Sequence, residues 1–277
     1  MYSTFQLTLG LGFLILWRYP VLQFAFLTVG CSPGGGNSNF WTIILEGNLD
    51  LSVTMTFCSN IAALFMMPVW LYTVGRYFWG DRISIPFMKI VEALLLLIIP
   101  VCVGALLRFV RPEWAKKLDK VLKIFALMIV FIFYTFGTYA NFYIFRLMPL
   151  KALLCGALLP SLGYLLAFGV AFLLRQGYRD SLTVAIETGI QNTGVAIAVL
   201  RLSLAEPDSD LSLVMPVASL LFVSFPLLAI LLTKTILRKC FGKECCVDPP
   251  KEDAPSAEEA TDLDDSSPRN VLLAPIS

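Results

Sequence analysis

The sequence predicts an all-α polytopic membrane protein of about eight transmembrane helices, two of them broken. Three observations carry that expectation. Hydrophobic residues make up 57% of the 277 positions and charged residues 15%, with a mean hydropathy of +0.77. Soluble domains carry about 25% charged residues. The apolar residues fall into runs near the roughly 20 residues that a helix needs to cross a bilayer. Two of those runs are interrupted by polar, glycine-containing stretches that a regular helix in lipid does not tolerate without cost.

The first span covers about Phe5 to Trp17 and ends at Arg18-Tyr19-Pro20. Met1 is followed at once by Tyr2-Ser3-Thr4-Phe5, with no basic lead and no small-residue cleavage site, so this stretch does not read as a signal peptide. It reads as a chain that starts inside or just before a membrane helix. The second span is apolar from Val21 to Val29, then meets Gly30-Cys31-Ser32-Pro33-Gly34-Gly35-Gly36-Asn37-Ser38-Asn39, and resumes at Phe40-Trp41-Thr42-Ile43-Ile44-Leu45. Four glycines and a proline break the helix there. The turn Glu46-Gly47-Asn48-Leu49-Asp50 leads to a third span, about Leu51 to Val74. The fourth is about Ile85 to Leu107, the fifth about Ile124 to Phe145 and the sixth about Leu150 to Leu174. The seventh, about Ser181 to Leu204, holds the second interruption, and the eighth runs from about Leu211 to Leu237.

Basic residues orient these spans. The loop with Arg108, Arg111, Lys116, Lys117, Lys120 and Lys123, the loop at 175–179, and the cluster Lys234, Arg238, Lys239 and Lys243 all alternate onto one side, which the positive-inside rule assigns to the cytosol. The acidic loop Glu206-Pro207-Asp208-Ser209-Asp210 falls on the other side. The C-terminus is then cytosolic, and with about eight spans so is the N-terminus. Residues 1–243 form the transmembrane region. Residues 244–277, rich in Pro, Asp, Glu and Ser, form an expected disordered cytosolic tail. Cys245-Cys246, after a basic juxtamembrane run, is a weak palmitoylation signal. The seven cysteines are scattered, with no pattern of a disulfide framework.

The chemistry concentrates in Glu187-Thr188-Gly189-Ile190-Gln191-Asn192-Thr193-Gly194, a carboxylate and two amides inside an apolar run. Ionisable groups at membrane depth mark ion or substrate pathways, and broken helices present carbonyls and helix ends to ions. This stretch is the expected centre of a cation-coupled transport site. A structural alternative pairs Glu187 with a buried arginine, but Arg201, the nearest, is almost four turns away. Ser52 and Thr56 share a helix face, and their alternative is to bond back to their own helix. Glu92, the other intramembrane acid, reads as lying near an interface. No histidine is present, and no nucleophile–base constellation or HExxH occurs. The protein is therefore not expected to be an enzyme, and no cofactor is expected. Its net charge of +1, without a clustered basic face, gives no reason to expect nucleic acid as a partner.

The interrupted spans, second and seventh, lie five spans apart. That is the spacing of a five-helix repeat, and an odd number of spans inverts the second copy. Paired interruptions in two halves point to a transporter's binding site. If the unit is five helices, two helices are expected before residue 1, giving an inverted-repeat transporter fold that lacks its first two helices.

Three motifs in order, Gly30 to Asn39, then Asp50-Leu51-Ser52-Val53-Thr54-Met55-Thr56, then Glu187-Thr188-Gly189-Ile190-Gln191-Asn192, closely resemble the bile acid:sodium symporter family, solute carrier family 10. The resemblance covers about residues 4 to 238. It implies a panel domain and a core domain, with the two broken helices crossing in the core, and an N-terminally truncated member lacking two panel helices. It also implies two sodium sites. Ser38, Asn39, Ser52, Thr56 and Glu187 match the first. Glu187, Thr188, Ile190 and Gln191 match the second, with backbone carbonyls from Thr188 and Ile190. A further family glutamine falls at about Met1, where this sequence has none. The implied function is sodium-coupled symport of an amphipathic organic anion, such as a bile salt or sulfated steroid, by alternating access, with the plasma membrane as location. The alternative is a non-transporting fragment or isoform that regulates or assembles with full-length members.

Overall fold

The computed structural model describes residues 2–79, 87–110 and 148–241, together with scattered positions between 124 and 144. Among the described residues the secondary structure is helical, and the one extended pairing is an isolated antiparallel bridge between Gly34 and Gln191.

The first two helices, α1 (Tyr2–Leu16) and α2 (Pro20–Cys31), pack on each other across a short turn. Pro20 stands in the first turn of α2, where a missing N–H leaves no bond unmade. Thr4 Oγ1 donates to the Gly30 carbonyl at 3.1 Å, tying the start of α1 to the end of α2. Helix α2 stops at Cys31, and Ser32 is extended with its hydroxyl turned back onto the Val29 carbonyl. After Pro33 and three glycines, α3 (Asn37–Ile44) begins. A turn at residues 45–48 reverses the chain into α4 (Leu49–Trp70), whose N-cap Asn48 accepts from Leu51 N at 3.2 Å. The buried stripe of α4 starts polar, with Ser52, Thr56 and Asn60, and becomes apolar at Ala63 and Met67. Pro68 cannot donate to the helix ladder, and the next residues, Leu71–Gly75, widen into a π turn before α5 (Arg76–Trp79).

Helix α6 (Phe87–Val110) follows, then α7 (Leu150–Leu173), α8 (Tyr178–Gly189), α9 (Thr193–Ser203), the short α10 (Asp208–Ser212) and α11 (Val214–Phe241). Helix α7 packs against both α8 and α11. Small residues line those contacts: a Cβ on Gly163 would stand 3.2 Å from the Gly189 Cα, and one on Gly156 2.7 Å from Ala218. Close backbone approach of this kind is how helices associate in lipid, where no hydrophobic drive separates tails from leucines. Two apolar clusters result. One gathers Phe24, Phe26, Met67, Leu159 and Val199; the other gathers Trp41, Leu45, Tyr164, Ile186 and Leu227.

Among the described residues, three stretches, Leu49–Gly75, Leu150–Leu173 and Asp208–Cys240, are long and apolar enough to cross a membrane. Their outer faces carry exposed Phe65, Val69, Leu165, Leu173, Leu232 and Ile236, side chains suited to lipid. The second and seventh expected spans are each two short helices. At about 1.5 Å per residue neither α3 nor α9 crosses a bilayer alone. The third span runs on through the π turn, and α10 precedes the eighth. The fifth span falls largely outside the described residues. So do the basic loop from Arg111 to Lys123, Met1, Cys245-Cys246 and the tail.

The two breaks pair with each other. Gly35 N donates to the Ile190 carbonyl at 2.9 Å and Asn192 N donates to the Pro33 carbonyl at 2.9 Å. Gly34 N donates to Ser59 Oγ at 3.2 Å. Backbone groups freed by each break are thereby satisfied inside the protein, which an apolar surrounding requires. Glycine is needed where the strands touch: a Cβ on Gly35 would lie 2.9 Å from the Gln191 carbonyl oxygen.

Candidate cation site

Glu187 sits one turn of chain before the second break, with 4% of its surface exposed. Its neighbours Leu182 and Ile186 bury α8 in the second apolar cluster, and this carries the carboxylate inward. Carboxylate Oε1 accepts from Thr56 Oγ1 at 2.7 Å. Oε2 accepts from the Ser38 hydroxyl in a short hydrogen bond and from Ser52 Oγ at 3.3 Å. Ser52 Oγ also lies 2.9 Å from Asn39 Oδ1, and Asn39 Nδ2 donates to Thr56 Oγ1 at 3.4 Å. The structure thus brings Ser38, Asn39, Ser52, Thr56 and Glu187 into one network.

Local structure explains the convergence. Ser38 and Asn39 occupy the first turn of α3, immediately after the break that lets the chain turn toward Glu187. Ser52 and Thr56, four residues apart, face the same way on α4. Gly34 leaves room, because a Cβ there would fall on the Glu187 carboxylate and 3.2 Å from Ser59 Oγ. Thr56 does bond back to its own helix, to the Ser52 carbonyl at 3.0 Å, and shares that proton with Glu187. Ser52 likewise shares one proton between Asn39 and Glu187. Acceptors outnumber hydroxyl protons in this cluster, so lone pairs are in excess. Such a set of carboxylate, hydroxyl and amide oxygens suits a hard cation.

Two further residues belong to this region. Thr42 Oγ1 donates to Ser52 Oγ at 3.2 Å; its spacing of three from Asn39 along α3 was the available signal. Asn60 lies four residues beyond Thr56 on the same stripe, 3% exposed, with its Oδ1 lacking a partner among the described residues. No lysine or arginine pairs with Glu187 among the described residues. Arg201 is engaged elsewhere, 2.9 Å from Glu206 and 2.7 Å from Asp210. Glu92 pairs with Lys89 at 3.0 Å on an exposed surface. No cluster of Cys, Asp and Glu suited to a metal ion of another kind occurs among the described residues.

The second expected set is arranged differently. Helix α8 ends at Gly189 and Ile190 is extended, at φ −94° and ψ 103°. Glu187 and Gln191 therefore do not share a helical face, and no hydrogen bond joins them among the described residues. Gln191 Nε2 donates to the Thr188 carbonyl at 2.8 Å, and the Ile190 carbonyl accepts from Gly35 N at 2.9 Å. Gln191 Oε1 is buried without a partner among the described residues. Gln191 instead borders a cavity of about 20 Å³ with Asn37, Thr193 and Ser219, room for one water-sized occupant.

Comparison with known proteins adds the family. The model of the Sodium Bile acid symporter family matches residues 6–146. The ileal sodium/bile acid cotransporter of Mus musculus is 36% identical over 231 residues, covering 81% of this chain and 64% of that protein. The same-named protein of Oryctolagus cuniculus is 33% identical over 249 residues, covering 87% of this chain and 70% of the relative. The sodium-dependent organic anion transporter of Bos taurus is 34% identical over 190 residues, 66% of this chain and 49% of that protein. The chain therefore spans between 49% and 70% of the length of these relatives. The family is one of sodium-coupled symporters in membranes, not of enzymes, with sodium as co-substrate and no cofactor indicated. From the matched family model and from relatives above 30% identity, this chain is a multi-pass membrane protein that belongs to the sodium bile acid symporter family.

Proposed function

We propose that the chain carries the cation-coupling site of a sodium symporter for an amphipathic organic anion, of the bile-salt or sulfated-steroid kind. The observation that carries this is a carboxylate, 4% exposed, ringed by Ser38, Asn39, Ser52 and Thr56 with no lysine or arginine paired to it among the described residues. A buried carboxylate without a counter-charge costs several kcal/mol in principle, and hydrogen bonds offset only part. A cation that replaces the shared hydroxyl protons with direct oxygen ligands removes that cost. One carboxylate among neutral oxygens matches a monovalent ion better than calcium, whose sites gather several acidic oxygens. The ligands come from α3, α4 and α8, so a bound ion holds both broken spans together. Coupling needs that kind of linkage between ion and conformation.

The second ion is proposed at Glu187, Thr188, Ile190 and Gln191, its support being the Gln191 Oε1, unpartnered among the described residues, and the second lone pairs of the Thr188 and Ile190 carbonyls. The N-termini of α3 and α9 meet at the crossing of the breaks, and their dipoles favour the anionic end of a substrate. In this reading about eight spans form inverted repeats, the core rocks against a panel, and the protein works in the plasma membrane with a cytosolic C-terminus. The test is uptake of labelled taurocholate and estrone sulfate by cells expressing the chain, with sodium or choline outside. Sodium-dependent uptake is expected. Equal uptake in both media would sink the coupling.

A further inference from the structure

We propose that the α3–α4 turn, residues 45–48, positions the Glu187 site: α8 and α11 grip it and so set the α4–α8 spacing on which sodium affinity depends. This rests on Glu187 being a cation site, and it adds residues outside that site. The turn is held at nearly every polar group. Lys234 Nζ, on a side chain only 9% exposed as a residue, donates to the Leu45 carbonyl at 2.7 Å and lies 3.4 Å from Glu46 Oε2. Arg238 forks onto the Glu46 carboxylate, at 3.0 Å through Nη1 and more closely through Nη2. Arg179 Nε donates to the Gly47 carbonyl at 3.1 Å. Asn48 N donates to Thr183 Oγ1 at 2.8 Å, and Asn48 Nδ2 donates to Asp180 Oδ1 at 2.8 Å. Gly47 packs so closely that a Cβ would stand 2.7 Å from Thr183 Oγ1.

The register makes this contact relevant to the ion. Asn48 meets Thr183; one helical turn further along both chains, Ser52 meets Glu187. Ser52 N is itself hydrogen-bonded to the Asn48 carbonyl at 3.0 Å. Helices α4 and α8 thus run side by side in the same direction here, and a turn of about 5.4 Å separates the clasp from the carboxylate. Loosening Asn48–Thr183 allows α4 to draw away from α8, and the oxygen ligands of Ser52 and Thr56 move with it. A network this close to its ligands preorganises them, and preorganisation appears as affinity. These are positioning residues, since none of them touches the proposed ion.

The experiment measures the thermal unfolding midpoint of the purified full chain in lipid nanodiscs across a sodium series, with choline holding ionic strength constant. Sodium that binds the folded state raises the midpoint, and the dependence yields the half-saturating concentration. Thr183→Val, equal in volume but without the acceptor oxygen, should raise that concentration about tenfold, within the usual range of coupling between sites. Thr183→Ser, which keeps the oxygen, should match the parent. Glu46→Gln, which weakens the grip of Lys234 and Arg238 from the α11 side, should shift it in the same direction. A merely structural clasp would lower the midpoint in choline and leave the half-saturating sodium unchanged in both Thr183→Val and Glu46→Gln; that result overturns the proposal. If the parent itself shows no sodium response, the reading of Glu187 fails and the clasp falls with it. If the parent responds and Glu187→Gln does not, the site stands and the clasp is judged by its own variants.

Discussion

As the proposed cation ligand, Glu187 must stay attractive to a cation while lying 4% exposed, and the hydroxyls of Ser38, Ser52 and Thr56 make that tolerable. Glu187→Gln keeps the shape and an acceptor but removes the charge, so the sodium affinity read from thermal stabilisation should fall at least about tenfold, the scale expected for losing one charge-assisted partner. The sodium series read by thermal unfolding checks this. Unchanged sodium dependence would remove Glu187 from the site. Gly34 offers a second test with different physics. A Cβ at that position meets the Glu187 carboxylate and stands 3.2 Å from Ser59 Oγ. Gly34→Ala should therefore cost about 1–3 kcal/mol by overpacking and weaken the sodium response as well. Stability and sodium response measured together distinguish this from a change in backbone entropy, which would stabilise.

At the scale of elements, the two breaks act as one unit. Each broken helix leaves N–H and C=O groups that lipid cannot satisfy, and the other break supplies partners through Gly35–Ile190 and Pro33–Asn192. The second half-helix of each broken span needs its own start. Asn192 caps α9 by accepting from Val195 N at 3.1 Å. Asn192→Ala should cost about 1 kcal/mol, and because its backbone bond to Pro33 survives, the pairing of the breaks should persist. Amide exchange in the 193–196 segment should rise while Gly35 stays protected. Equal loss of protection at both places would show that the cap holds the crossing itself. Sequence periodicity located both breaks and the face shared by Ser52 and Thr56. Gln191 stands four residues from Glu187, a spacing that shares a face only in a helix, and α8 ends between them at Gly189.

Across the whole molecule, the arrangement joins one end of α11 to the α3–α4 turn through Lys234 and Arg238. The same end carries Lys239, so the basic residues that orient the chain also grip the turn beneath the proposed cation site. The proposed orientation places this end in the cytosol. A C-terminal epitope should then be unreachable by antibody in intact cells and reachable after permeabilisation. Labelling in intact cells would invert the whole topology, and with it the direction from which sodium arrives.

The sequence by itself determined the membrane class, the two interruptions and the kinds of oxygen donor available. Those properties follow from composition and from periodicity within single segments, and each is local. The tertiary structure alone decided which donors meet. Ser38 and Glu187 are 149 residues apart, and Asn48 and Thr183 are 135 apart. No local pattern links such positions. What links them is that backbone and side-chain polar groups freed by one break find their partners in or beside the other, and that Gly34, Gly35 and Gly47 leave room for the segments to come close enough for this to happen.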